Sequence, residues 1–469
     1  MKMHIGGKWM DSDDRIDVVN PFDGTTIDTV PKATPQDVSD AIATAAKGAE
    51  VMRKMPAYER YQLLDRAARL MYERQQDLGR TITLEEGKVL AEGLGEAGRS
   101  AETITLSAEE AKRLTGETLD LSAASNGAGK FGFTLRVPCG VVVAITPFNF
   151  PLNLVCHKVG PALAAGNAVI VKPASDTPLS AIKLVEILLE VGFPPEAVSV
   201  LTGSGASVGD AIASDPRVRK ISFTGSRDVG EHICRTAGLK KVTMELGSNS
   251  PVVVMDDADI DKVADDVALA GFANAGQVCI SAQRILVEDK AYGDLTDALQ
   301  ARVEGITTGD PLADGTKMGP MIRESDAERV ESWIQEAVAA GARLVAGGSR
   351  SGTLHQPTVL ADVTPGMRVS RDEVFGPAVA LTRVSDIDEA IAIANDTNYG
   401  LSASIFTQDI DRAIKYAQNV ESGNIHINWG TMWRADMMPY GGLKDSGMGK
   451  EGPKYAIQEM TESKMIVIH

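Results

Sequence analysis

At 469 residues the chain is too long for one ordinary core, and two or three domains are expected. Its 47 lysines and arginines against 64 aspartates and glutamates give a formal charge of −17. A surface this acidic repels phosphate backbones and anionic lipid, which argues against nucleic-acid and membrane partners.

The N-terminal MKMHIGGKWMDSDDR has no apolar run behind its lysines, so no secretory signal is expected. No later stretch approaches the ~20 apolar residues that cross a bilayer. Residues 5–30 alternate apolar and polar positions around Asn20-Pro21 and Asp23-Gly24, as short strands and turns do. Thr34-Pro35-Gln36-Asp37 then supplies an N-cap, a first-position proline and an acidic first turn. Amphipathic helices are predicted over 36–54 and 57–90. Residues 121–138 are polar and alternating, as in a projecting hairpin or an edge strand.

From there the character changes. Apolar, largely β-branched runs occupy 141–146, 168–172, 198–202, 220–224 and 252–255, with helical segments such as 179–190 between most of them. This alternation predicts an α/β fold with a doubly wound parallel sheet. Ligands of such sheets bind beyond the carboxyl ends of the strands. A second alternating region runs from 259 to about 446, and 459–469 reads as a C-terminal strand. The boundary between the two regions falls near 247.

The strand ends carry the candidate chemistry. After 141–146, two prolines flank Asn149, whose amide can donate to a developing oxyanion or satisfy its own turn. Lys172 closes the next strand, ready for a ribose or phosphate, or simply solvated. Gly203-Ser204-Gly205 with Gly209 resembles a dinucleotide loop whose last glycine comes one residue late. Thr224-Gly225-Ser226 leads into a helix and aims backbone N–H groups at an anion, unless Ser226 is an ordinary N-cap. Glu245 stands among apolar neighbours; it is either a desolvated base or a strand-edge carboxylate in water.

Four cysteines, Cys139, Cys156, Cys234 and Cys279, show neither CxxC spacing nor histidines at metal-ligand distances. Disulfides and metal are therefore not expected, and a reducing cytoplasm fits. By default each is a small buried apolar residue. Cys279 differs in lying in Ala275-Gly276-Gln277-Val278-Cys279, where glycine permits close backbone approach and N–H groups can stabilise a thiolate.

Taken in order, PFNFPLNLVCHKVGPALAAGN, VKPASDTP, FTGS, MELGSNSP, FANAGQVCISAQRI, DEVFGP and MPYGGLKDSGMGKEG resemble the aldehyde dehydrogenase superfamily over nearly the whole chain. The resemblance implies that Cys279 attacks the aldehyde carbon, with the oxyanion held by Asn149 and the Cys279 N–H. It implies hydride transfer to the nicotinamide, leaving a thioester that Glu245 helps water to hydrolyse. Lys158 is similar to a lysine near the oxyanion site. NAD or NADP would lie along Thr146-Pro147-Phe148, Lys172 and Ser175, Gly205 and Gly209, Phe223-Thr224-Gly225-Ser226, Leu246-Gly247, and Glu373 with Phe375. The family's plan implies a cofactor domain at 1–115 and 139–247, a catalytic domain at 248–446, and an arm and tail at 116–138 and 447–469 that build homodimers or homotetramers.

The chain departs from the commonest family pattern in informative places. Ser175 stands where many NAD-preferring members carry glutamate, so NADP is expected to be tolerated. Phe148 and ELGSNSP are similar to a subgroup that includes lactaldehyde and non-phosphorylating glyceraldehyde-3-phosphate dehydrogenases. His157 and Arg434 fall at tunnel positions often held by aromatic residues, which points to a small polar or anionic aldehyde. The bland alternative pairs Arg434 with Asp436 or with a neighbouring subunit's acid. Two rival functions remain: a coenzyme-A-acylating semialdehyde dehydrogenase, against which Glu245 argues, and a non-catalytic scaffold, against which the intact Cys279, Glu245 and Asn149 argue.

Overall fold

Valine- and isoleucine-rich runs without alternation have no face to offer water, and they become the interior strands of two parallel sheets. The computed structural model describes residues 1–469, with the side chains of residues 206 and 207 outside that description. The first sheet has eight strands in the order Lys8–Met10, Met3–Ile5, Val198–Val200, Ala168–Lys172, Val141–Ile145, Val218–Thr224, Lys241–Glu245 and Gly447–Met448. The five central strands are parallel, and the edge pairings at Met3–Ile5 and Gly447–Met448 are antiparallel. The chain enters at Val141–Ile145, winds outward to Val198–Val200, and returns on the other side at Val218–Thr224. The strand order therefore reverses between Val141–Ile145 and Val218–Thr224, where such folds open a ligand crevice.

The second sheet has seven strands: Arg343–Ala346, Thr358–Ala361, Ala378–Val384, Arg284–Glu288, Pro251–Val254, Ser402–Phe406 and Asn424–Ile427. All its pairings are parallel except that of Arg343–Ala346. Residues 246–250 connect the two sheets. Each sheet has its own buried core, one dominated by residues before 247 and the other by residues after 251. Helix Pro35–Lys54 begins with the expected N-cap at Thr34, which also forms a reciprocal capping box with Asp37.

Two expectations need correction. The predicted helix at 57–90 is broken into Ala57–Glu73 and Gln75–Glu86, the latter ended by Gly87 at φ 97°, and a further helix, Leu90–Ala111, follows. Apolar spacing continues through the breaks, so periodicity alone does not register them. The tail is also divided. Gly447–Met448 completes the first sheet, and Ile457 and Met460 pack into the first core. Only Thr461–Ile468 projects, pairing antiparallel along its whole length with Phe131–Pro138, which also holds Thr118–Leu119.

Candidate active site

Helix Ile260–Phe272 ends in a loop where Asn274, Ala275 and Gly276 all take positive φ, at 50°, 53° and 70°. Three left-handed residues in succession turn the chain sharply toward Cys279. Gly276 is required there, because a Cβ would stand 2.1 Å from the Gly376 carbonyl oxygen. The loop is tied to the strand end carrying Asn149. The Asn149 amide nitrogen donates to the Gln277 carbonyl at 2.8 Å, so the side chain does not close its own turn. An amide nitrogen carries two hydrogens, and one remains for a substrate oxygen.

Behind this contact lies a buried charged cluster. Lys88 donates to the Asn149 carbonyl at 2.7 Å and to Glu96 at 2.8 Å. The other Glu96 oxygen accepts the N–H groups of Leu152 and Asn153, which start helix Asn153–Ala164. Asn274 donates to Glu86 at 2.8 Å, and burial pushes the Glu86 carboxyl up to about 8. These ties hold the strand end and the cysteine loop as one unit.

Glu245 ends its strand at 2% exposure, with neither carboxylate oxygen hydrogen-bonded among the described residues. It is no strand-edge group in water. Burial, reinforced by Glu451, holds its pKa well above the usual carboxylate range. The neighbouring Gly441 has φ 154°, and a Cβ there would lie 2.8 Å from Glu245 Oε1. Burial also pushes the Cys279 thiol up to about 12.

Cys279 stands where two cavities meet. One, of about 550 Å³, is walled by Pro147, Phe148, Asn149, Thr224, Gly225, Ser226, Leu246, Gly247, Glu373 and Phe375. It meets, at Asp228, a second space of about 360 Å³ lined by Lys172, Gly205, Gly209 and Phe223. Burial lowers the Lys172 ammonium to about 8. Together these walls contain most of the predicted cofactor residues, including Gly205 and Gly209 of the late-spaced loop. Thr146 and Ser175 line neither: Thr146 donates its N–H to the Lys172 carbonyl, and the Ser175 hydroxyl donates to the Gly203 carbonyl at 2.9 Å.

A dinucleotide fits this pair of spaces. Helix Arg227–Ala237 opens onto the larger one, and its N-cap Ser226 makes no side-chain cap bond, so the hydroxyl is not consumed. Glu373 accepts the Ser248 N–H at 2.8 Å and lies against Gly247, where a Cβ would come within 2.4 Å of it. Phe148 and Phe375 meet edge to face at 5.8 Å.

The other cavity at Cys279, about 240 Å³, is bounded by Arg434, Tyr440, Glu245, Glu451, Arg99 and Asn153, among others. Arg434 is buried. Its guanidinium donates to Glu451 at 3.2 Å and stacks 3.8 Å above the Tyr440 ring, and its Nε has no hydrogen-bond partner among the described residues. Arg434 thus pairs with Glu451, whereas Asp436 is held by Arg99 at 2.8 Å and by His157 at 2.9 Å. His157 and Lys158 stand one layer behind the wall. Burial and the Arg434 charge lower the His157 pKa. Lys158 donates to Glu451 at 2.6 Å and to Thr224 at 2.7 Å.

Tyr440, Glu451, Lys88 and Glu96 were given no role by sequence reasoning. Tyr440 and Glu451 lie within the last quoted family motif, MPYGGLKDSGMGKEG; Lys88 lies at the end of the stretch 57–90 predicted as an amphipathic helix, and Glu96 just beyond it.

The profile of the Aldehyde dehydrogenase family matches residues 9–466. The chain is 45% identical over 467 residues to a 3-sulfolactaldehyde dehydrogenase of Priestia aryabhattai, covering 100% of this chain and 98% of that one. It is similar to the NADP-dependent glyceraldehyde-3-phosphate dehydrogenase from Bacillus halodurans, solved in complex with NADP. There the TM-score is 0.98 at 38% identity, over 100% of this chain and 99% of that one. An aldehyde dehydrogenase from Physcomitrella patens, solved with the reaction product succinate, gives a TM-score of 0.97 at 39% identity, over 100% and 98%.

Proposed function

The chain belongs to the aldehyde dehydrogenase family and is an NAD(P)-dependent oxidoreductase of aldehydes, and we propose that its substrate is a small aldehyde with an anionic far end. The observation that carries this reading is Cys279 at the junction of two cavities, one suited to a dinucleotide and the other bounded by buried Arg434.

The Cys279 thiolate attacks the aldehyde carbon and forms a C–S bond. The new oxyanion is held by the free N–H of Asn149 and the backbone N–H of Cys279. NAD(P) would supply the hydride acceptor for that carbon, and loss of the hydride would leave a thioester on Cys279. Glu245 takes a proton from water, which attacks the thioester; the C–S bond breaks and the carboxylic acid leaves. Glu373, Phe375, Ser226 and Lys172 hold the cofactor. Ser175, with its hydroxyl turned to the Gly203 carbonyl, adds no negative charge near Lys172, so NADP is tolerated.

Lys158 and Arg434 share the single carboxylate of Glu451, while Arg99 pairs with Asp436. Arg434 keeps its Nε N–H without a partner among the described residues and can offer it to a substrate anion. The substrate named for one similar protein, 3-sulfolactaldehyde, and the reaction product bound in another, succinate, both carry such an anionic far end.

The test is a panel of neutral and anionic aldehydes of similar size, each with NAD and NADP, with and without coenzyme A, read as reduced cofactor. Anionic aldehydes should be oxidised with NADP, without coenzyme A, and Arg434→Ala should lower their kcat/KM at least tenfold more than that of neutral ones. An equal loss on both classes, or none, would overturn the anion assignment. Strict dependence on coenzyme A would establish the acylating rival.

A further inference from the structure

The Tyr440 hydroxyl lies 3.2 Å from Cys279 Sγ. The residue is buried, and its position is fixed from three sides. Its main chain exchanges hydrogen bonds with Glu451, the Tyr440 N–H to the Glu451 carbonyl at 3.2 Å and the Glu451 N–H to the Tyr440 carbonyl at 2.7 Å. Its ring lies under the Arg434 guanidinium. The next residue, Gly441, packs against Glu245. A phenol so constrained cannot swing away from the sulfur without disturbing this packing.

We propose that Tyr440 is a positioning and activating residue that donates a hydrogen bond to the Cys279 thiolate, a role that rests on reading Cys279 as the nucleophile. While the sulfur is a thiol, either atom can donate. Once it is ionised, only the phenol can, and a bond to an anion is stronger than one between neutral groups. The contact therefore favours the charged form. Burial holds the Tyr440 proton in place well above the usual phenol range, so the donor survives at alkaline pH.

The charged groups acting on the sulfur are Glu373 and Glu245, which oppose its ionisation, and Arg434, which favours it. Burial is the largest influence against the thiolate, and the Tyr440 bond is the largest in its favour. The gain in rate is moderate by nature. Lowering a thiol by one pH unit gives about tenfold more thiolate below its pKa, but intrinsic nucleophilicity drops roughly threefold, leaving a net gain of about threefold.

The test measures alkylation of Cys279 by iodoacetamide from pH 6 to 10 in the intact wild type and in Tyr440→Phe, with the labelled site identified by peptide mass. Phenylalanine keeps the ring beneath Arg434, and NADP binding followed by fluorescence checks the fold. The Y440F curve should be displaced to higher pH, with alkylation about threefold slower at pH 7.5 and NADP affinity unchanged. If Y440F fails to bind NADP, wild-type protein carrying 3-fluorotyrosine gives the complementary reading: its more acidic phenol should move the curve to lower pH. Curves that superimpose on wild type overturn the role of Tyr440. If alkylating Cys279 in the wild type leaves aldehyde oxidation intact, the nucleophile assignment itself fails, and the Tyr440 proposal with it.

Discussion

Glu245 illustrates how one buried side chain sets both a rate and a stability. As the base that draws a proton from water, it must be ionised to act, yet burial and Glu451 raise its pKa while Lys158 and Arg434 only partly oppose them. Thioester hydrolysis should therefore keep accelerating as pH rises beyond the ordinary carboxylate range. Glu245→Gln removes the base but leaves Cys279 and the cofactor walls in place. We expect a burst of one reduced cofactor per site followed by a steady rate about 10²- to 10⁴-fold below wild type. Stopped-flow absorbance reads both phases, and an unchanged steady rate would exclude Glu245 as the base. The same shift has a sign for stability. The folded-state pKa lies above the unfolded one, so the protonated carboxyl's contribution is full below the ordinary carboxylate pKa and is lost as pH rises through the raised value. Glutamine cannot ionise, so between pH 6 and pH 9 the melting temperature of E245Q should fall less than that of the wild type.

The turn before Cys279 depends on backbone shape more than on side-chain chemistry. Gly276→Ala places a Cβ in a left-handed residue and against a backbone carbonyl that cannot move aside. The left-handed conformation alone costs roughly 1–2 kcal/mol, and relief of the clash must shift the loop that carries Cys279. Aldehyde oxidation should fall more than tenfold and the melting temperature should drop. Gly293→Ala is the control: it lies within helix Asp289–Glu304 with nothing within 4 Å of an added Cβ. There alanine should be neutral or stabilise by roughly 0.5–1 kcal/mol. Equal behaviour of the two variants would remove any special demand at Gly276. Legibility in the sequence divides along the same line. Unbroken valine and isoleucine runs announce parallel strands, so Val141–Ile145 and Ala168–Lys172 are found almost to the residue. The positive φ of Asn274 and Ala275 leaves no trace, because tertiary contacts impose it on ordinary residues. The stretch 85–96, EEGKVLAEGLGE, has the composition of a solvated helix, yet Glu85, Glu86, Lys88 and Glu96 are buried. Composition reports charge; it does not report that the partners of those charges come from residues 149–153, 179–180 and 274.

At the scale of the molecule, the strand-order reversal accounts for where everything meets. Asn149 follows one of its two strands, Thr224 and Ser226 close or follow the other, and the second sheet brings Cys279 and Glu373 against them. The order of the motifs along the chain announces this plan; the layering of Lys158 and His157 behind the wall does not follow from it. The projecting sheet remains. Thr118–Leu119, Phe131–Pro138 and Thr461–Ile468 form only three strands, and successive side chains point to opposite faces. Phe131 and Leu135 lie on one face and Met465 and Val467 on the other, all exposed at 40% or more. A three-stranded sheet with apolar residues on both faces is marginal in water and presents free edges. We propose that other copies of the chain cover it, as a homodimer or homotetramer. The wild type should sediment at two or four times 49.7 kDa. Leu135→Glu places a carboxylate opposite Lys464, so the strand pairing is kept while the face becomes charged. Combined with Val467→Lys on the other face, it should shift the assembly to a smaller multiple while each chain still binds NADP. Sedimentation of the wild type as a 49.7 kDa species at micromolar concentration would refute the arm's role in assembly, and the exposed apolar faces would then need another partner.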